Sequence, residues 1–306
     1  MTRPGHPSTD RARPWLKRYQ WLLLRRASQL GILALFLLGP LLGVWIVTGN
    51  LSASMTLDVL PLTDPLLLGQ SMLSGNWPAT TGLIGAGLVL VLYALVGGRV
   101  FCAWVCPVNM VTDLAAWLRR RLRLRASGRL SRGLRWWLLG LVLLLPLATG
   151  SMVWEYVNPV SMLHRGLIFG LGWAWLILAG VFLYDLLIVR RGWCGHLCPV
   201  GAAYALIGAK APVHVAAPRR ERCDDCMDCF EICPEPQAIK PALKAMPTGH
   251  GASHGPVIDS IDCTKCGRCI DVCDRDVFGF ALGRITANGT LRKTAKDRGP
   301  GALAAS

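Results

Sequence analysis

Hydrophobic residues fall along this chain in long unbroken runs rather than at the short periods of a soluble domain. The runs at about 30–48, 80–98, 136–153 and 167–189 each approach the ~20 residues that carry a helix across a hydrocarbon core. They predict a membrane α-helical protein with four transmembrane helices, arranged as two pairs. After Lys210 the pattern changes. Residues 211–222 read as a Pro/Ala/Arg linker, 223–282 as a compact cysteine-rich domain and 283–306 as a small, polar, basic tail. Before the first run, 1–28 reads as a basic arm, so that 29–210 is the membrane domain.

Charge orients these elements. Residues 1–28 carry Arg3, Arg11, Arg13, Lys17, Arg18, Arg25 and Arg26 against one acid, Asp10. The segment 99–135 holds nine arginines, including Arg119-Arg120-Arg121, against Asp113. The segment 49–79 has neither Lys nor Arg. Positive charge stays on the cytoplasmic side, so both termini are expected inside a bacterial inner membrane. Arg25 and Arg26 would be anchors before the first span, and the triple arginine would contact anionic lipid head groups. Asp185 is expected to pair with Arg190 and Arg191. The apolar part of 49–79 is expected on the outer membrane surface. The formal net charge of +15 suggests nucleic acid only until its placement is considered: the cations flank apolar runs and no nucleic-acid motif accompanies them.

The twelve cysteines then specify the chemistry. Cys223, Cys226, Cys229 and Cys233 form C-x2-C-x2-C-x3-C, and Cys263, Cys266, Cys269 and Cys273 repeat it. That is the spacing of bacterial two-cluster ferredoxins, in which the fourth cysteine of each run serves the other cluster. We therefore expect two [4Fe-4S] clusters, one on Cys223, Cys226, Cys229 and Cys273, the other on Cys263, Cys266, Cys269 and Cys233. Zinc is the competing metal, and disulfides are disfavoured in a reducing compartment. Two histidines in the Gly/His-rich loop, His250 and His254, could bind metal, although a solvated loop is the simpler reading.

The remaining four cysteines reveal a repeat. Cys102-Ala-Trp-Val-Cys106-Pro107 follows the second run and Cys194-Gly-His-Leu-Cys198-Pro199 follows the fourth, each preceded across the membrane by Asp64-Pro65 or Asn158-Pro159. If the halves pack as a pseudo-symmetric bundle, the four thiols converge. They would ligate a further metal centre, form a redox dithiol or relay electrons; otherwise they are buried helix-end thiols. No histidine lies in a run and no C-x-x-C-H occurs, which argues against haem. No Rossmann or P-loop fingerprint is present. Electrons would then come from a lipid-soluble donor or a protein. Quinol oxidation releases protons, and the acids at the outer ends of the halves, Glu155 and Asp64, are the candidate acceptors.

Taken together, Pro61-Leu-Thr-Asp-Pro65, Phe101-Cys-Ala-Trp-Val-Cys-Pro107, Trp193-Cys-Gly-His-Leu-Cys-Pro-Val-Gly201 and Cys226-Met-Asp-Cys-Phe-Glu-Ile-Cys-Pro-Glu-Pro236 resemble the NapH-type ferredoxin family. These are the membrane quinol-dehydrogenase components of periplasmic nitrate reductase systems. The resemblance implies ubiquinol or menaquinol as donor and a NapG-type periplasmic ferredoxin as partner. It also implies onward transfer to the periplasmic nitrate reductase, directly or through a c-type cytochrome. The alternative is a redox-sensing or assembly polyferredoxin of another respiratory enzyme.

Overall fold

The computed structural model describes residues 14–124, 128, 130–170, 172–244 and 256–283. A short helix, α1 (Trp15–Arg18), leads into α2 (Gln20–Leu42). The leucine-rich sequence of α2 favours helix, and Gly43, left-handed at φ 71°, ends it. The first apolar helix thus starts at Gln20 rather than residue 30, and Arg25 and Arg26 lie inside it rather than before it. Residues 44–48, expected to complete the span, lead instead into β1 (Val47–Gly49). β1 pairs antiparallel with β2 (Ala53–Thr56), and β2 with β3 (Leu60–Thr63). The cation-free segment is therefore a small sheet followed by helix α3 (Pro65–Leu73).

Helix α4 (Thr80–Val96) is followed by α5 (Val100–Trp104) and α6 (Val108–Arg121). The second half repeats the plan with α7 (Leu134–Thr149), α8 (Pro159–Phe169), α9 (Trp173–Leu183) and α10 (Pro199–Ile207). A continuous fourth helix from 167 to 189 is not found. The chain breaks between α8 and α9, where Gly170 takes φ 90°, and α9 widens into a π-helical turn at Tyr184–Ile188. Among the described residues only α2 is both long and apolar enough to cross a bilayer unaided; α4, α7 and Trp173–Ile188 are shorter apolar helices.

The repeat is visible in the caps. Asp64 Oδ1 accepts from Leu66 N at 3.1 Å with Pro65 in the first turn of α3. Asn158 Oδ1 accepts from Val160 N at 3.1 Å with Pro159 in the first turn of α8. A shared core that includes Leu66, Val89, Leu139, Leu178, Val200 and Tyr204 joins the halves. They also meet backbone to backbone. A Cβ on Gly98 would stand 1.5 Å from the Tyr204 carbonyl, and one on Gly208 would stand 1.8 Å from Gly98 N. Neither position accepts a side chain.

The C-terminal domain is built on a sheet of order β5-β4-β6, with β4 at Val213–Ala216, β5 at Val257–Ile258 and β6 at Gly279–Leu282. Three short helices, α11 (Asp228–Ile232), α12 (Lys240–Lys244) and α13 (Arg268–Val272), complete it. The expected linker at 211–222 is thus the central strand of this domain, with Val215, Ala216 and Ala217 at most 1% exposed. Four residues are too few to display a strand period, and the partners lie more than 40 residues away. His250, His254 and the tail after residue 283 lie outside the described residues.

Candidate functional site: cysteine loops and an adjoining cavity

The two four-cysteine runs adopt one backbone. In the first, Asp225 (φ 57°) and Met227 (φ 67°) are left-handed; in the second, Lys265 (φ 49°) and Gly267 (φ 72°) occupy the matching places. Alternation of this kind turns successive N–H groups toward the thiols, a concavity suited to an anionic centre. Cys273 lines the same cavity as Cys223, Cys226 and Cys229. Cys233 lies within charge range of Cys263 and Cys266, and Cys269 within range of Cys263, Cys266 and Cys233. The chain thus brings the thiols together as three plus one in both cases.

Burial pushes the Cys229 and Cys233 thiols up to about 12 and Cys263 up to about 11, so each stays protonated unless a metal displaces its proton. Cys266 is lowered. Burial acts to raise it, but Arg268 and Arg25 outweigh burial. Among the described residues no three His, Cys, Asp or Glu side chains close round a point as one metal ion requires. The grouping suits a polynuclear centre, whose ligands stand farther apart.

This domain is locked onto the helices by buried ion pairs. Arg99, 3% exposed and directly after α4, donates to Glu235 Oε1 at 3.2 Å, to the Asp262 carbonyl at 2.7 Å and to the Cys194 carbonyl at 3.1 Å. Arg135 pairs with Asp262. Lys265 Nζ donates to the Val96 carbonyl at 3.1 Å, which caps the end of α4. Asp113 is shared by Arg26 and Arg268 at 2.5 Å, Arg191 at 3.1 Å and Arg25 at 3.8 Å. Burial would raise its carboxyl, but Arg268, Arg191 and Arg26 outweigh that and hold it well below the usual range. Asp271 accepts from Trp21 N at 3.1 Å and Leu22 N at 3.0 Å, capping α2.

These contacts revise the roles expected of the arginines. Arg25 is fully buried, and Arg99, Arg119, Arg135 and Arg191 are at most 5% exposed. Arg119, expected at lipid head groups, donates to the Leu186 carbonyl at 2.8 Å, one of the groups freed by the π-helical turn. Asp185 accepts from Trp193 N at 2.9 Å and so fixes the start of the second C-x3-C-P turn, while Arg191 goes to Asp113.

The two C-x3-C-P turns face each other. A Cβ on Gly201 would stand 3.9 Å from both Cys102 Sγ and Cys198 Cβ. Cys194 lies within charge range of Cys198, Cys106 and Cys102. Gln29 of α2, fully buried, donates to the Ala103 and Cys106 carbonyls, each at 3.1 Å, and so holds the first turn. All four thiols are raised by burial. Cys102 and Cys194 line one small cavity together with Cys266, Thr264 and Arg268 of the second ferredoxin loop.

On the other side of the first turn lies an apolar cavity of about 290 Å³. Its walls include Ile32 and Phe36 of α2, Val47 and Leu62 of the small sheet, Val89 of α4, and Phe101 and Val105 of the turn. Asp64, Tyr93 and Tyr204 are among its few polar groups. Asp64 and Tyr204 share this wall, and burial raises the Asp64 carboxyl. Glu155 is not in this wall. It pairs with Arg165 at 3.5 Å and accepts from Asn158 at 3.4 Å, within charge range of Asp64. Sequence reasoning found Asp64 and missed Tyr93 and Tyr204. Tyr204 follows the second C-x3-C-P turn, and only the fold carries it to the first half.

Paired ferredoxin loops with thiols grouped three plus one define a ferredoxin-type iron–sulfur protein. A family described as "4Fe-4S dicluster domain" matches residues 222–277. One described as "4Fe-4S binding domain" matches 78–125 and 171–215, each holding one C-x3-C-P pair. The chain is 49% identical to the ferredoxin-type protein NapH of Escherichia coli (strain K12), over 86% of this chain and 90% of that one. It is 51% identical to the methylamine utilization ferredoxin-type protein MauN of Methylorubrum extorquens, over 89% and 92%. For MauN of Paracoccus denitrificans the figures are 52%, 88% and 93%. The chain belongs to this family of NapH- and MauN-type ferredoxin proteins. No solved structure matches it.

Proposed function

We propose that this protein is a membrane electron-transfer component that takes electrons from quinol and passes them through iron–sulfur centres to a soluble partner. The observation that carries the reading is the shared cavity in which Cys102 and Cys194 meet Cys266. It joins the turns beside the apolar helices to the ferredoxin domain without an insulating layer. Helices α2, α4, α7 and α9 are the four spans, with both termini cytoplasmic; the cation-free segment 49–79 supports that orientation.

Cys223, Cys226, Cys229 and Cys273 would hold one [4Fe-4S] cluster, and Cys263, Cys266, Cys269 and Cys233 the second. Cys102, Cys106, Cys194 and Cys198 would hold a further centre. These groups supply one-electron acceptors; the chain supplies their thiolates, their charge environment and the proton acceptors, Asp64 and Glu155. The resemblance to NapH points to a NapG-type periplasmic ferredoxin, a c-type cytochrome and the periplasmic nitrate reductase downstream. The MauN relatives are as similar in sequence.

The test uses the full-length protein reconstituted with its clusters in lipid nanodiscs. Anaerobic decylubiquinol should bleach the cluster absorbance and produce a reduced-cluster paramagnetic signal. Clusters that respond to dithionite and never to quinol would overturn the proposal. Reporter fusions at positions 70, 125, 160 and 300 should read outside, inside, outside and inside.

A further inference from the structure

We propose that the cavity between α2, the small sheet and α4 is the quinol head-group site, with Asp64 as its first proton acceptor and Tyr204 as its polar neighbour in the same wall. The inference rests on the quinol reading above and adds its location and residues.

The repeat provides the first argument. An N-cap needs only a side-chain oxygen, and Asn and Asp serve equally well. The second half uses Asn158, which is 3% exposed and donates to Ser161 Oγ at 3.2 Å. The first half uses a carboxyl facing an apolar cavity, where an acid is costly. Capping does not require that acid, so the difference between the halves marks a role beyond structure.

The shape of the cavity provides the second. Its volume of about 290 Å³ suits a single ring with a few methyl or methoxy groups, and its lining has the mostly apolar character of small-molecule sites. Ile32, Leu35 and Phe36 place one wall on α2, the most convincing bilayer helix. Leu35 is 39% exposed, so a lipid-soluble substrate can approach from the hydrocarbon side.

The third argument is position. Phe101 and Val105 line the cavity, and their neighbours in sequence, Cys102 and Cys106, belong to the cysteine cluster behind it. Tyr204 stacks on Phe101, with centroids 4.8 Å apart and planes within 6°, and meets Tyr93 edge-on at 5.1 Å. One wall therefore separates the substrate ring from the thiols.

The chemistry balances with groups already named. Two O–H bonds of the quinol would break, two protons would leave, and the two electrons would pass singly to the iron–sulfur centres that the cysteines would hold, giving the quinone. The first proton goes to Asp64. Glu155, within charge range and paired with the 47% exposed side chain of Arg165, takes it outward before the second follows.

Full-length protein in nanodiscs tests this with three variants and two readouts. The readouts are the rate of cluster reduction by decylubiquinol and the peptides labelled by an azidoquinone photoprobe. Dithionite-reducible cluster content provides the folding control. Asp64→Asn keeps the cap and should slow reduction by on the order of 100-fold, the scale of one general base, while labelling persists. Tyr204→Phe should slow it less and move the pH at which the rate is half-maximal. Val89→Trp should abolish both labelling and reduction. In the unaltered protein the label should fall within 32–36 and 89–105. Wild-type reduction rates in Asp64→Asn and Val89→Trp, with labelling elsewhere, would overturn the placement alone. If quinol never reduces the unaltered protein, the broader proposal falls with it.

Discussion

The two ferredoxin loops share a backbone and differ in almost every charge. The first, Cys223–Cys233, carries Asp224, Asp225, Asp228 and Glu231; the second, Cys263–Cys273, carries Lys265, Arg268 and Asp271. Cys226 is exposed, while its counterpart Cys266 is buried beside the C-x3-C-P turns; Cys229 and Cys269 are both buried in the domain's own core. Arg268 reaches Asp113 and Lys265 reaches the end of α4. The first loop's Asp224 instead pairs with Arg275 at 3.5 Å and accepts from Cys226 N, and the loop is tied to the helices through the Glu231 carbonyl, which accepts from Arg190. Ligand geometry is thus duplicated, and environment makes the copies unequal. Charge and burial around a cluster set its potential. The second loop, ringed by guanidinium groups, should hold electrons more tightly than the first. It faces the helices, and under the proposed function it would receive the electrons; the first, with Cys226 exposed, would pass them on.

The comparison can be broken most severely at the ligands. Under the crossed assignment, Cys233→Ser should remove the signal of the cluster on the second loop, and Cys273→Ser that on the first. Paramagnetic resonance of the reduced variants distinguishes them. Loss from each mutation's own run would end the assignment. Next comes Asp113→Ala, which strands buried arginines from three parts of the chain. Breaking a buried pair costs about 3–5 kcal/mol, so limited proteolysis should release the ferredoxin domain from the helices. Arg268→Gln is milder. It should lower the potential of the second cluster by on the order of 100 mV, the Coulomb energy of one nearby charge at an effective dielectric of about 20, and leave the first unmoved in a redox titration. The smallest effect belongs to Asp224→Ala. Its exposed pair with Arg275 contributes about 0–1 kcal/mol, so the midpoint of chemical unfolding should barely shift.

The cysteine groups were legible because thiolate spacing is a local property of a tight loop. The apolar helices were legible in number and order, but not at their ends. Arg25 and Arg26 read as solvated anchors because hydropathy sends charge to water, yet Arg25 is fully buried beside Asp113 and Arg268. The strand at 213–216 was hidden because both its partners come from far along the chain. Asp64 was legible through the repeat, as the acid of the first half that answers Glu155 in the second. Its neighbour Tyr204 was not, because 140 residues separate them and nothing in either local sequence links the two.

The cap on α2 has a consequence for biogenesis. The first turn of the first long helix is closed by Asp271, a residue 249–250 positions further on. At about 5–20 residues per second, the ribosome takes roughly 12–50 s to travel between them. The helix must therefore form with its leading amides uncapped, and Arg25 and Arg26 must wait for Arg268 to join them on Asp113. An early element is thus sealed late, by the very loop that carries Cys266 and Cys269. A chain that stops short of that loop leaves the first turn of its first long helix without its cap.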